Sequence, residues 1–255
     1  MKLYYHTTGH GEPLVILHGL FGSGDNWYTL SNYFGDKFKV FAVDQRNHGR
    51  SPHSDQFNYK LMAEDVANLL AHEGIKSAQV LGHSMGGKTA MQLALSRQEL
   101  ISKLVVVDIA PKAYPPQHDA IFDALFSLKL DQYRTRSELD SDLALSIPDF
   151  AVRQLLLKNV TRDGEGRFQW KMDVKSIHRN YPNVNGAIGG ERPFDKPALF
   201  IRGSKSNYIT EDDKTEIMRL FPKAGFATIE GAGHWVHAEA PQKFAEAVME
   251  FLTSA

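Results

Sequence analysis

The chain has 255 residues, of which 42% are hydrophobic and 23% charged, and its formal net charge is -1. This length allows one large domain or two small ones with a sizeable core. The near-zero charge gives no electrostatic reason to expect nucleic acid or an anionic membrane surface as a partner. The lack of cysteine excludes disulfides, thiolate metal sites and a cysteine nucleophile.

The N-terminal sequence and the hydropathy pattern contain no targeting or membrane signal. Residues 1–5 lack the charged stretch followed by a long apolar run that is typical of a signal peptide. No run of about 18 apolar residues occurs, so we expect no membrane insertion. The lack of cysteine fits a reducing compartment, and we therefore expect a cytoplasmic protein.

Apolar runs alternate with helical patterns along the first part of the chain. An edge strand is predicted at residues 3–6, and runs that are apolar on both faces predict buried strands at 14–17, 40–43, 78–81 and 104–107. Helices are predicted between these runs, one of them with Asn58 as its N-cap. This alternation indicates an α/β fold: a mostly parallel central sheet with helices on both faces.

The pattern changes after Asp108. Residues 112–195 contain prolines and no convincing buried strand, and they predict helices at about 118–128, 137–146, 148–159 and 173–181, with a polar turn at 163–166. The alternation then resumes, with strands at 198–201 and 226–229 and helices at 214–220 and 241–252. We therefore expect a core of residues 1–110 and 196–255, and a helical cap of residues 111–195 inserted after the sixth strand, over the carboxyl ends of the strands.

The stretch Ala78–Arg97 carries the clearest functional motif. Its apolar run ends at Gly82, the pattern Gly-His-Ser-Met-Gly follows at residues 82–86, and a buried helical pattern comes next. This order of strand, sharp turn and helix is the context in which G-x-S-x-G predicts a nucleophile elbow. The alternative is a glycine-rich turn with an inert serine. Ser84 is therefore the candidate nucleophile, at a helix N-terminus that favours developing negative charge.

Several segments together resemble the α/β-hydrolase superfamily. They are HGLFGSGDNW at 18–27, GHSMGGKTA at 82–90 and GAGHWVHAE at 231–239, in this order. Two others, VDQRNHGRSP at 43–52 and VVVDIAP at 105–111, more narrowly resemble the YbfF-like esterases. The match covers most of the chain. The resemblance implies an α/β-hydrolase fold and an esterase activity.

A serine hydroxyl is a weak nucleophile and needs a base within hydrogen-bond reach. Of the eleven histidines, His234 lies just past the last predicted strand, where a hydrolase of this fold places its base. His237 is the nearby competitor, but it lies closer to the terminal helix. Three other histidines are interpreted as packing or supporting residues, namely His18, His48 and His83.

The third residue of such a site is an acid that orients the base and stabilises the imidazolium. The superfamily usually takes this acid from the loop near Ser206, but no aspartate occurs there. Asp108, at the end of the neighbouring core strand, can supply the carboxylate, and the resemblance implies this earlier position. The chain order Ser84, Asp108, His234 also fits the fold. The fallback candidates are Asp195, Asp212 and Asp213.

Backbone N–H groups are expected to bind the oxyanion. One belongs to Met85, directly after the candidate nucleophile, and the second to Leu20, with Phe21 as the neighbour that could replace it. Lys88, four residues after Ser84, is interpreted as a member of a structural ion pair rather than a substrate contact.

These residues predict a serine hydrolase that cleaves carboxylic esters, or acyl thioesters, of small to medium acyl groups through an acyl-enzyme. We expect no cofactor and no metal, since no histidine spacing typical of a metal site occurs. Phe122, Leu125 and Phe126 are candidates for lining an acyl pocket, although such a stripe is more often packing. The alternatives are a lactonase, a carbon–carbon bond hydrolase, or a catalytically weak module that binds a small ligand.

Overall fold

The centre of the protein is a sheet of seven strands in a computed structural model that describes residues 1–254. Within these residues there are nine strands: β1 Tyr5–Thr8, β2 Glu12–Leu17, β3 Phe38–Val43, β4 Ala78–His83, β5 Ile101–Val107, β6 Val160–Arg162, β7 Phe168–Trp170, β8 Ala198–Gly203 and β9 Ala224–Ile229. The main sheet has the order β1-β3-β2-β4-β5-β8-β9. Only the pairing of β1 with β3 is antiparallel in this sheet, so the predicted mostly parallel sheet is confirmed.

Helices cover both faces of this sheet. They are α1 Tyr28–Phe34, α2 Tyr59–His72, α3 Met85–Ser96, α4 Asp119–Ser127, α5 Arg136–Ala144, α6 Phe150–Leu157, α7 Val174–Arg179, α8 Tyr181–Asn185, α9 Asp213–Leu220, α10 Val236–Glu239 and α11 Pro241–Thr253. Apolar residues of α2, α3 and α9 form one buried cluster with one face of the sheet, while α1 and α11 form a second cluster with the other face. The central strands are apolar on both faces because both faces are covered.

The chain between β5 and β8 lies outside the main sheet. It contains α4 to α8 and a separate hairpin of β6 and β7. It follows the fifth strand rather than the expected sixth, because only the five predicted strands occur within residues 1–107. The hairpin was not predicted, since each of its strands has three residues, too few for an apolar run. Ala255, the last residue of the expected core, lies outside the described residues.

No helix within the described 254 residues combines the length and the apolar character that crossing a bilayer requires.

Lys88, on helix α3, forms hydrogen bonds with the main chain near both ends of the segment between β5 and β8. Its ammonium group donates to the main-chain oxygen of Lys112 at 2.8 Å on one side, and to those of Asn185 at 3.4 Å and Gly186 at 2.6 Å on the other. The side chain is buried, and within residues 1–254 no carboxylate forms a salt bridge with it. The predicted ion pair is therefore wrong, because carbonyl oxygens take the place of a carboxylate.

The surroundings of Lys88 act in opposite directions on the charged form of its side chain. Burial lowers the pKa of its ammonium group to about 7. The three carbonyl acceptors favour the charged form, as do the ring faces of Tyr59 and Tyr114 at 5.6 and 4.8 Å. In its charged form, Lys88 connects the two ends of the segment to the helix that begins beside Ser84.

Replacing Lys88 by Met should destabilise the protein, because the substitution keeps a long side chain but leaves buried carbonyl groups without a donor. We expect the free energy of unfolding to fall by about 1–3 kcal/mol, measured by urea denaturation. Lys103→Met is the matched control, since Lys103 also donates to carbonyl oxygens but at the half-exposed end of α11. If the free energy of unfolding fell equally in the two variants, the structural role given to Lys88 would be contradicted.

Candidate active site

A sharp turn between β4 and α3 carries Ser84. The residue has a φ of 52° and a ψ of -117°, a left-handed conformation that is strained for any residue with a side chain. The turn is tight because glycines surround it: a Cβ on Gly86 would lie 2.2 Å from the main-chain oxygen of Leu17, and one on Gly82 would lie 2.2 Å from that of Gly86. The backbone therefore presents Ser84 at the carboxyl end of β4, as the elbow motif predicts.

The structure brings the three predicted side chains together. The Nε2 atom of His234 lies 3.1 Å from the Oγ atom of Ser84. The other ring nitrogen of His234, Nδ1, lies 2.7 Å from the Oδ2 atom of Asp108. An Nδ1–H that donates to the carboxylate leaves the lone pair of Nε2 free to accept the serine proton. The arrangement is suited to general-base activation of the hydroxyl.

The carboxylate of Asp108 is completely buried at the end of β5 and is held by further donors. The N–H group of Gly203 donates to Oδ1 at 3.1 Å, and the hydroxyl of Ser206 donates to Oδ2. Ser206 thus occupies the loop in which an aspartate was expected, and it contacts the carboxylate that comes from the neighbouring strand. Of the fallback candidates, Asp213 instead pairs with Lys112 at 2.8 Å.

The loop that carries His234 is held by a residue that the sequence reasoning missed. The two carboxylate oxygens of Glu239 accept hydrogen bonds from the N–H groups of Gly233 at 2.8 Å and Trp235 at 3.2 Å. These amides flank His234 on either side, so the carboxylate fixes the backbone that presents the ring. Glu239 lies within the segment GAGHWVHAE, but the spacing between His234 and Glu239 does not correspond to a sequence motif that would have indicated this role.

Two aromatic rings fix the orientation of the His234 side chain and main chain. The ring of Tyr208 stacks on the His234 ring with centroids 3.9 Å apart and an angle of 21°. The Nε2 atom of His83 lies 3.0 Å from the main-chain oxygen of His234, so His83 donates there. The ring of Tyr208 was also missed, since an aromatic residue in a polar loop gives no distinguishing pattern.

Within residues 1–254, no histidine other than His234 forms a hydrogen bond with the Ser84 hydroxyl. His237 stacks on Trp27 with centroids 4.3 Å apart, and burial lowers its pKa to about 3. His18 accepts a hydrogen bond from the N–H group of Gln45 at 3.0 Å. Burial lowers the pKa of His18 to about 4 and that of His48 to about 3. These rings are neutral near pH 7. The structure supports the interpretation of His18 and His48 as packing and supporting residues, and it places His237 against Trp27 rather than at the Ser84 hydroxyl.

Two main-chain N–H groups beside Ser84 are free to bind an oxyanion. Within residues 1–254, those of Leu20 and Met85 have no hydrogen-bond acceptor. The loop that carries Leu20 abuts the elbow, since a Cβ on Gly19 would lie 3.4 Å from that of Ser84. The N–H group of Phe21 instead donates to His48 Nε2 at 3.3 Å. The hydrogen bonding therefore favours Leu20 over Phe21 as the second donor.

A cavity of about 630 Å³ opens above Ser84 and His234. The segment between β5 and β8 contributes much of its wall, including Tyr114, His118, Ile121, Phe150, Leu155 and Tyr181. The predicted acyl-pocket residues do not line it: Phe122 and Leu125 are buried in packing, and Phe126 is exposed at the surface. Phe122 and Leu125 therefore serve packing rather than the cavity.

Comparisons with known proteins identify relatives of this chain by sequence and by fold. The sequence pattern of the α/β hydrolase fold family matches residues 12–241. The sn-1-specific diacylglycerol lipase ABHD11 of Mus musculus is 38% identical over 247 residues, which are 94% of this chain and 80% of that protein. Esterase YbfF of Escherichia coli K12 is 37% identical over 246 residues, which are 95% of this chain and 94% of that protein.

A solved structure of a marine microorganism esterase has the same fold, with a TM-score of 0.96 and 42% identity, and the match covers 98% of this chain and 99% of that one. The predicted resemblance to the superfamily and to YbfF-like esterases is confirmed by these matches. The chain belongs to the α/β-hydrolase fold family.

Proposed function

We propose that this protein is a serine carboxylesterase in which Ser84, His234 and Asp108 form a catalytic triad. The observation that carries the proposal is the hydrogen-bonded series from the Ser84 hydroxyl through His234 to Asp108, with Ser84 facing a cavity. Ester hydrolysis of the α/β-hydrolase type is supported by the relatives, which are named as esterases or as a lipase.

The first half of the reaction forms an acyl-enzyme. His234 Nε2 accepts the proton of Ser84 as its Oγ attacks the ester carbonyl carbon. The N–H groups of Leu20 and Met85 stabilise the negative charge that develops on the carbonyl oxygen. Asp108 stabilises the imidazolium and holds it in the productive orientation. His234 then donates its proton to the departing alcohol oxygen as the bond between that oxygen and the acyl carbon breaks.

The second half of the reaction releases the acid. Water replaces the alcohol, gives a proton to His234 Nε2 and attacks the acyl carbon. The same two amides stabilise the second oxyanion. His234 returns the proton to the Ser84 oxygen as the acid leaves. No step requires a cofactor.

The helix-rich segment determines the shape of the substrate space. We propose that residues 111–195 form a cap over a core of residues 1–110 and 196–254, since this segment supplies cavity residues from α6 and α8. The cavity volume fits small to medium acyl groups. Thioester cleavage, lactone cleavage and carbon–carbon bond hydrolysis remain predictions that use the same three residues, and a panel of esters, thioesters, lactones and diketones separates them.

Replacing Ser84 by Ala should abolish the activity while leaving the fold intact. We expect the hydrolysis of p-nitrophenyl butyrate to fall by at least about 10³-fold, because the nucleophile is removed. Ser96→Ala, at the other end of α3, is the matched control and should hydrolyse the ester like the parent protein. Retention of activity in Ser84→Ala, or a wild-type protein inert to every ester of the panel, would refute the proposed function.

Replacing Asp108 by Asn should lower kcat by about 10²- to 10⁴-fold, since the amide favours the wrong tautomer of His234 and does not stabilise the imidazolium. Steady-state kinetics with the same ester measure the effect. Asp213→Asn is the control, because Asp213 is a fallback candidate that pairs with Lys112 instead. Near-parent turnover in Asp108→Asn would remove this residue from the triad.

A further inference from the structure

His118 is a histidine of the cavity wall that the mechanism above does not use. It lies at the N-cap of α4, and its side chain faces the same cavity as Ser84 and His234. Its ring packs edge-on against Phe21 with centroids 5.8 Å apart, and against Tyr181 at 5.6 Å and 86°. Phe21 directly follows Leu20, so His118 packs against the loop that carries the candidate oxyanion donor.

The hydrogen bonds of Tyr181 assign the tautomer of His118. The hydroxyl oxygen of Tyr181 accepts a hydrogen bond from the N–H group of Gln117 at 3.1 Å and lies 2.5 Å from His118 Nδ1. An amide N–H can only donate, and among residues 1–254 the hydrogen of this buried hydroxyl has no acceptor other than Nδ1, so pairing it requires that Nδ1 carry no proton. We therefore assign Nδ1 as the acceptor and place the ring proton on Nε2, which satisfies the Tyr181 hydroxyl.

The ring is neutral at physiological pH and its remaining donor is free. Burial, together with the nearby His234, lowers the pKa of His118 to about 4. The Nε2–H group has no hydrogen-bond partner among residues 1–254, and the residue is half-buried at the cavity wall. A fixed, uncharged donor therefore lies in a wall whose other members are largely apolar or aromatic.

We propose that His118 Nε2–H binds a second oxygen atom of the substrate, so that the preferred substrates are esters with an ether, carbonyl or hydroxyl oxygen near the scissile ester group. This inference rests on the proposed esterase function. A purely hydrocarbon ester displaces water from the donor and leaves it unpaired, whereas an oxygen at that position restores the hydrogen bond. The ether, carbonyl and hydroxyl oxygens are all hydrogen-bond acceptors, and the acceptor can lie on either the acyl or the alcohol side of the ester substrate.

Four esters in two matched pairs test the proposal and locate the oxygen. p-Nitrophenyl methoxyacetate is compared with p-nitrophenyl butyrate for the acyl side, and 2-methoxyethyl acetate with butyl acetate for the alcohol side. His118→Phe removes the donor and keeps an aromatic ring against Phe21. We expect it to lower kcat/KM for one oxygen-bearing ester about three- to tenfold more than for its hydrocarbon match. For each ester, the ratio of the kcat/KM values of the variant and the wild-type protein cancels differences in intrinsic reactivity between esters.

Two further variants separate recognition from structure. His118→Gln places an N–H donor near the position of Nε2 and should restore most of the lost preference. His178→Phe is the matched control, since the ring of His178 contacts Phe122 but does not line the cavity, and it should leave all four rates unchanged. Thermal denaturation of each variant checks that it is folded.

The outcomes distinguish this inference from the proposed function. If His118→Phe changes all four rates by the same factor while the wild-type protein hydrolyses the esters, His118 is a wall residue only and the inference is wrong. If the wild-type protein hydrolyses none of them, the esterase proposal fails and the inference with it. Nitrogen-15 NMR of the His118 ring gives a direct check, and a proton on Nδ1 instead of Nε2 would overturn the assignment.

Discussion

The buried carboxylate of Asp108 is the group on which the candidate site depends, because it joins segments that are distant in the chain. It accepts hydrogen bonds from Gly203 at the end of β8 and from Ser206 in the loop after β8, and its Oδ2 atom lies 2.7 Å from Nδ1 of His234, which follows β9. A carboxylate removed from water is costly unless donors replace the lost hydration, so these loops are fixed around it. Since β4, β5 and β8 are parallel neighbours, the same edge of the sheet also presents Ser84 to the His234 ring.

Backbone strain is concentrated at this edge. Within the described residues, four non-glycine residues have a positive φ, and each lies in the loop that follows one of four strands: Phe21 after β2, Asn47 after β3, Ser84 after β4 and Asp108 after β5. Such conformations cost on the order of 1–3 kcal/mol each and persist where the surroundings enforce them. Here the enforcing contacts are burial and side-chain hydrogen bonds, such as that between Asn47 Oδ1 and the N–H group of Ser54 at 2.6 Å. The strained backbone at Ser84 and Asp108 directs the hydroxyl and the carboxylate toward the imidazole of His234.

The strands and most helices were predictable because their signals are local: apolar runs for β2 to β5, and a capping asparagine at residue 58 for α2. The residues of the candidate site were also predictable, since glycines mark the elbow and the His234 loop. The partners that hold these residues were not. Glu239, Tyr208 and Ser206 act through contacts that arise only after the chain folds, and the acceptors of Lys88 are main-chain oxygens that no side-chain pattern reveals. The hairpin of β6 and β7 was missed because its strands are too short for periodicity.

The most direct test of the account is covalent labelling with a fluorophosphonate, followed by intact-mass measurement and peptide mapping. The account requires that Asp108, acting through His234, makes the Ser84 hydroxyl nucleophilic. It predicts one adduct per chain, located on Ser84, and labelling that is slower by orders of magnitude in a folded Asp108→Asn variant. A folded wild-type protein that stays unlabelled, or an adduct on another residue, would contradict it.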